Sequence, residues 1–223
     1  MADKKDSSNK DLITLPEGGE IAVPDDDVFK AATKSGDYLP RLQLLTSNSE
    51  IVKDGKFPMN HFAIVRDQNN QDIGESVDVL VVAWRAKAIE IGDEILTSYD
   101  PKEEVFKDIQ DRSDEKDSGC MFGPEFLVWV PVAETFATFF MASKSMRREA
   151  PAVRGYLKKA ATLKPHKITN NKYTWYSPTV HPCSSVFDVP DSDEIEKEYL
   201  KFMNPPAQTI EKAPETSGED RAR

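Results

Sequence analysis

Between Ser76 and Ile91 the chain reads SVDVLVVAWRAKAIEI, with Val77, Val79, Val81 and Ala83, then Ala86 and Ala88, set among polar and β-branched neighbours. Period-two alternation of this kind predicts one long strand, with a bulge near Trp84. Tyr38–Thr46 and His61–Arg66 also read as strands. The loop Asp67–Gly74 has the Asn, Asp and Gly content of a hairpin connection into the long strand, so three strands in an antiparallel meander are expected. Asp100, Pro101, Glu103 and Glu104 follow in the order of a cap, a first-turn proline and dipole-favoured acids. With Val105, Phe106 and Ile109 on one face they predict a helix over 101–112. An acidic loop, Asp114–Gly119, precedes two aromatic-rich strands, Glu125–Val130 and Thr135–Ala142, joined across Pro131. Ser143–Ala161 has helix-forming composition with Pro151 inside it, which implies two short helices or one kinked at Ala150. Thr162–Ile168 and Lys172–Thr179 read as a hairpin around Asn170-Asn171. A last amphipathic helix, Asp191–Phe202, turns Ile195, Tyr199 and Phe202 inward.

Both ends lack such patterning. Met1–Gly36 is rich in acids and poor in large apolar residues, apart from Leu12–Leu15, and reads as a disordered acidic arm. Asn204–Arg223, with three prolines and no apolar face, reads as a flexible tail. One globular β-rich domain over 37–203 remains. No stretch of about 18 apolar residues occurs and no signal-like segment follows the first lysines, so neither a membrane span nor a secretory leader is expected, and the expected location is cytoplasmic. Two cysteines, Cys120 and Cys183, make no disulfide framework and no cysteine-rich zinc module.

Charge sharpens the picture. The 223 residues carry a net charge of -10, which argues against a protein that coats nucleic acid with its whole surface. Yet the window Met141–Val180 holds nine cations, Lys144, Arg147, Arg148, Arg154, Lys158, Lys159, Lys164, Lys167 and Lys172, against the single acid Glu149. Interleaved with them are Tyr156, Tyr173, Trp175 and Tyr176. Cations track phosphates and flat rings stack on unpaired bases, so the combination has the ingredients of a single-stranded nucleic-acid groove. The competing reading is a solvated lysine face with its rings packed in the core.

Catalytic patterns are missing by comparison. His61, His166 and His181 are the only imidazoles, and none stands in a nucleophile-elbow, zinc-protease or P-loop motif. A metal site from His166, His181, Cys183 and Cys120 would need distant ligands to converge, whereas free cysteines are commonly small buried hydrophobes. The acid runs Asp25–Asp27 and Asp191–Glu198 suggest an arm and a helix start rather than a cation site. No enzyme activity, cofactor or metal is expected.

Ser118-Gly119-Cys120, Gly123-Pro124-Glu125, Phe136–Phe140, Ser143-Lys144-Ser145, Arg147-Arg148-Glu149 and Tyr173-Thr174-Trp175 together resemble an uncharacterised family of tailed-bacteriophage proteins, over Tyr38–Pro190. The resemblance carries no functional residues; it implies a context, in which an acidic protein with a basic aromatic patch looks like a phage single-stranded DNA-binding protein. Such proteins commonly end in an acidic tail with a terminal aromatic, and the ending Glu219-Asp220-Arg221-Ala222-Arg223 departs from that.

The order strands, helix, strands, helices predicts a mainly β (α+β) domain: an antiparallel, OB-like, partly closed barrel with helices packed outside and disordered acidic termini. The expected function is non-catalytic single-stranded DNA binding in phage replication through Lys144, Arg147, Arg148, Arg154, Lys158, Lys159, Lys164, Lys167, Lys172, Tyr173, Trp175 and Tyr176. Expected partners are single-stranded DNA and other replication proteins, with a homo-oligomer open and no membrane. The alternative is a phage structural or host-interaction protein whose basic patch meets a protein.

Overall fold

A computed structural model describes residues 39–47, 49–66, 69–92, 95–115, 118–169 and 174–205. The acidic arm, nearly all of the tail, and Lys172 and Tyr173 therefore lie outside the described residues. Nine strands form one sheet: β1 (Arg41–Leu44), β2 (Phe62–Val65), β3 (Gln71–Gly74), β4 (Val77–Ile91), β5 (Ile95–Ser98), β6 (Cys120–Val130), β7 (Thr135–Phe140), β8 (Lys159–Thr169) and β9 (Thr174–Pro182). The helices among the described residues are α1 (Glu50–Lys53), α2 (Glu104–Arg112), α3 (Lys144–Arg154) and α4 (Ser192–Met203), with a 3-10 turn at Pro131–Ala133. The protein is mainly β.

The strand order is β3-β2-β1-β7-β6-β4-β8-β9, with β5 also on β4. This is an open sheet, which corrects the expected partly closed barrel. The reason lies in β4, whose apolar residues serve both faces. Val77, Val79 and Val81 join Phe126, Val128, Phe139 and the α3 residues Ala150 and Val153 in one core. Leu80, Val82 and Ala83 join Leu127, Trp129, Phe136 and the α4 residues Ile195 and Phe202 in a second core on the opposite face. Helices cover both faces of the sheet centre, so the sheet does not need to close on itself to bury its apolar residues. Val79 and Val81 are buried, as their alternation predicts, and so are Phe126, Val128, Phe136 and Phe139 of the two aromatic-rich strands. The bulge falls at Val82, where the register with β6 skips a residue between Val81 and Ala83. Two consecutive side chains thereby join the α4 side, and Trp84 returns to the α3 side.

The expected meander is also corrected. β1, β2 and β3 pair antiparallel, but β3 is Gln71–Gly74 from within the presumed hairpin loop. The chain then leaves β3, through Gly74 at φ +106, and places β4 beside β6 in the sheet centre. A polar four-residue strand suits an edge; a fifteen-residue strand apolar on both sides suits the centre. The β1–β2–β3 unit reaches the rest through a parallel contact of Arg41 with Thr138, whose N–H donates to the Pro40 carbonyl at 2.8 Å. At the opposite edge, β9 carries Pro178 and Pro182, which have no N–H to offer another strand.

The helices follow their caps. Asp191 Oδ1 accepts the Glu194 N–H at 2.8 Å to start α4, and Ser143 Oγ accepts the Met146 N–H at 3.3 Å to start α3. α2 begins at Glu104, three residues later than the proline pattern suggests, because Asp100 spends its carboxylate on the Lys102 N–H in a preceding turn. α3 is a single helix with Pro151 in its last turn. A proline there deletes a single N–H, and the turn closes through the Gly155 N–H to the Pro151 and Ala152 carbonyls, both at 3.1 Å. No helix among the described residues is long and apolar enough to cross a membrane.

Candidate nucleic-acid interface

The cationic window folds into α3, a turn and the β8–β9 hairpin. Residues 159–163 of β8 pair with 77–81 of β4, while 164–169 pair only with β9 among the described residues. The outer half of the hairpin is therefore a two-stranded ribbon running past the sheet's main body.

Strand alternation sorts the ribbon's side chains onto two faces. Leu163 is buried in the core under α3, and Pro165, Lys167 and Thr169 share its face with Tyr176, Pro178 and Val180 across the ladder. Tyr176 and Val180 pack against that core, and α3 lies over β9. The other face carries Lys164, His166 and Ile168 from β8, opposite Thr179, Ser177 and Trp175 from β9, with His181 one step nearer the sheet. On this face Lys164, His166 and His181 are exposed and Trp175 is half-buried.

The remaining cations are divided by what they touch. Arg147 donates to the Ala142 carbonyl at 2.5 Å and the Phe122 carbonyl at 3.2 Å, with its guanidinium 4.0 Å above the Phe122 ring. It joins α3 to β6. Arg154 lies 4.4 Å above the Trp84 ring. Lys158 adopts φ +61 in the turn after α3, where its N–H donates to the Val81 carbonyl at 2.7 Å. Lys144 has a distant exposed partner, Asp114 at 3.8 Å. Among the described residues no carboxylate lies within ion-pair distance of Arg148, Lys159, Lys164 or Lys167, which are all exposed. The structure thus brings Lys164 and Trp175 onto one face, sets Lys167 and Tyr176 on the other, and keeps the α3 cations on the Tyr176 side. Tyr156 packs against the core rather than beside Trp175.

A second charged constellation escaped the sequence reading. Glu125, 1% exposed, receives Arg85 Nε at 2.9 Å, Arg85 Nη2 at 2.7 Å and Lys87 Nζ at 2.6 Å. The Arg85 guanidinium lies 3.7 Å from the Tyr99 ring centroid and 4.2 Å from that of Phe202, and also donates to the Phe202 carbonyl at the end of α4. Lys87 sits 5.1 Å from the Phe140 ring centroid. Both Glu125 oxygens and the Arg85 and Lys87 cations are engaged with protein groups, so the cluster's chemistry is cohesion: it clamps β4, β6 and α4 together. The available signal was Arg85 and Lys87 at period two, both facing the same side of a buried strand.

On the α3 side, Glu90 accepts both Arg112 Nη1 at 2.6 Å and Nη2 at 2.7 Å, while Asp108 takes Arg112 Nη2 at 2.6 Å. This fork holds the Glu90 carboxyl below its ordinary range and the Arg112 guanidinium above its own. Among the described residues no three histidine, cysteine or acidic side chains converge as a metal site.

Comparisons of the chain with protein-family models, with curated proteins and with solved structures return no match.

Proposed function

We propose that this is a non-catalytic single-stranded DNA-binding protein, of the kind used in phage replication, that binds through the β8–β9 ribbon. The observation that carries the reading is Lys164 and Trp175 on one face of a ribbon that runs beyond the sheet, with no carboxylate paired to the lysine among the described residues. A backbone phosphate and a base offer the complements of that pair: a charge for the ammonium and a flat face for the indole. Arg148 and Lys159 extend the positive field beyond the ribbon, while Arg147, Arg154 and Lys158 hold the fold that presents it. Because the sheet is open, the proposed binding surface is a ribbon face rather than the groove of an OB-like barrel.

Fluorescence anisotropy of a labelled oligothymidylate tests the assignment. Trp175→Ala is expected to weaken binding by about 1–3 kcal/mol with little change in salt dependence. Lys164→Ala is expected to lower the slope of log K against log salt by roughly 0.7. Circular dichroism of both variants must match the wild type, since the ribbon is continuous with the core. If both variants fold and bind like the wild type, the ribbon is not the site.

The alternative is a phage structural or host-interaction protein whose basic patch meets an acidic protein; Arg148, Lys159, Lys164 and Lys167, exposed and without a carboxylate at ion-pair distance among the described residues, would serve it equally.

A further inference from the structure

The ribbon face that carries Lys164 and Trp175 holds two more groups of interest. Stepping outward from the sheet, the rungs of the ladder on this face are Thr162 with His181, Lys164 with Thr179, His166 with Ser177, and Ile168 with Trp175. Side chains two residues apart on a strand are about 7 Å apart. Lys164 and His166 stand at that spacing on β8, comparable with that of neighbouring phosphates on an extended single strand, while His181 and Trp175 stand on β9 diagonally across the ladder from Lys164 and His166 respectively. Lys164, His166 and His181 are exposed.

The surroundings leave the imidazoles available. His181 Nε2 lies 3.1 Å from the Thr179 hydroxyl, and among the described residues neither His166 nor His181 has a carboxylate at ion-pair distance. An acid does lie on this face: Asp78 of β4 sits opposite Thr162 and accepts its hydroxyl at 2.5 Å. The third imidazole of the chain is elsewhere: His61 Nδ1 lies 2.9 Å from both Asp72 carboxylate oxygens, between β2 and β3 at the other edge of the sheet.

The geometry points to His166 and His181 as phosphate-binding residues that make oligonucleotide binding proton-dependent. This rests on the single-stranded DNA reading. A neutral imidazole brings no charge to a phosphate, whereas an imidazolium brings a full charge and two donors, and imidazoles exchange that proton between pH 5 and 8. An imidazolium at either position would add its charge to that of Lys164. Binding should tighten as pH falls, and its salt dependence should steepen at the same time, because each new phosphate contact releases counterions.

The experiment is an anisotropy titration of oligothymidylate with the full chain at pH 8 and pH 6, each over a series of salt concentrations. From pH 8 to pH 6 the slope of log K against log salt is expected to become more negative by up to roughly 0.7 for each histidine. His166→Gln with His181→Gln should abolish the increment, and His61→Gln should retain it. Binding whose slope is the same at both pH values, or an increment lost in His61→Gln but kept in the double variant, overturns the proposal while leaving the DNA-binding reading in place. Failure to bind at either pH, even at the lowest salt, overturns both.

Discussion

Glu125 is the residue on which most of the charged interior depends. Its carboxylate is the shared partner of Arg85 and Lys87, whose side chains are themselves only 11% and 17% exposed. Removing it leaves two cations facing each other in a site poor in water, and breaking a buried pair in this way costs about 3–5 kcal/mol. Glu125→Ala is expected to lose that much stability in urea denaturation; a loss below about 1 kcal/mol would contradict the clamp. Arg147 and Arg148 make a paired comparison at the same scale. Arg147→Ala should lower the melting temperature, because the guanidinium bonds two carbonyls and covers Phe122. Arg148→Ala should stay within about 0.5 kcal/mol of the wild type, as an exposed side chain without an ion pair does. The two arginines look equivalent in the sequence, since what separates them is the carbonyl of Phe122, 25 residues away. Glu125 was hidden for the same reason: its partners are 38 and 40 residues off, and a carboxylate at the head of an apolar run reads as a strand end.

Among elements, α2 is attached to the sheet by Phe106 and Ile109, packed with Ala88 and Cys120, and by the Glu90–Arg112 fork. Because the fork lowers the Glu90 pKa from its ordinary value of 4.5, its stabilisation is fully present above that value and is lost as pH falls through the lower, folded one. Protection factors of the α2 amides, taken against the intrinsic exchange rate at each pH, should accordingly be high at neutral pH and fall as the medium is acidified below about 4.5. Glu90→Gln should show lower protection already at neutral pH and a smaller further fall in acid; protection of α2 equal to the wild type would count against the fork. Elements whose signals are local were legible: the long strand from its period, α4 from Asp191 and its apolar face, the β8–β9 hairpin from its strand pattern around Asn170-Asn171. The strand β3 was not, because Gln71 and Asp72 are polar edge residues and their pairing with β2 is the only feature that makes them a strand.

At the scale of the whole molecule, the path of the sheet is what local patterns could not supply. Which strands neighbour β4 depends on both of its faces finding helical cover, and α2, α3 and α4 come later in the chain than β4. The candidate interface was visible as composition and is resorted by topology: alternation puts Trp175 and Tyr176 on opposite faces of the ribbon, so one window of sequence becomes two surfaces. Charge acts over the whole chain as well. Met1–Cys120 carries a net charge of -11, of which residues 1–34 supply -3 with eight acids against five lysines, and an acidic arm competes at low salt for any positive face it can reach. Removing residues 1–34 is expected to tighten oligonucleotide binding at low salt, with the difference shrinking as salt rises; equal or weaker binding by the shortened chain would speak against competition.

The central claim, that the protein binds single-stranded DNA through phosphate and base contacts together, is tested most directly by measuring the affinity of the wild-type chain for an oligothymidylate and for a duplex of equal length across a salt series. The account predicts measurable binding to the single strand at low salt, a log K that falls linearly with log salt at roughly 0.7 per phosphate contact, and weaker binding to the duplex, whose bases are not free to stack on Trp175. No measurable affinity for the single strand at low salt, or a clear preference for the duplex, would contradict it.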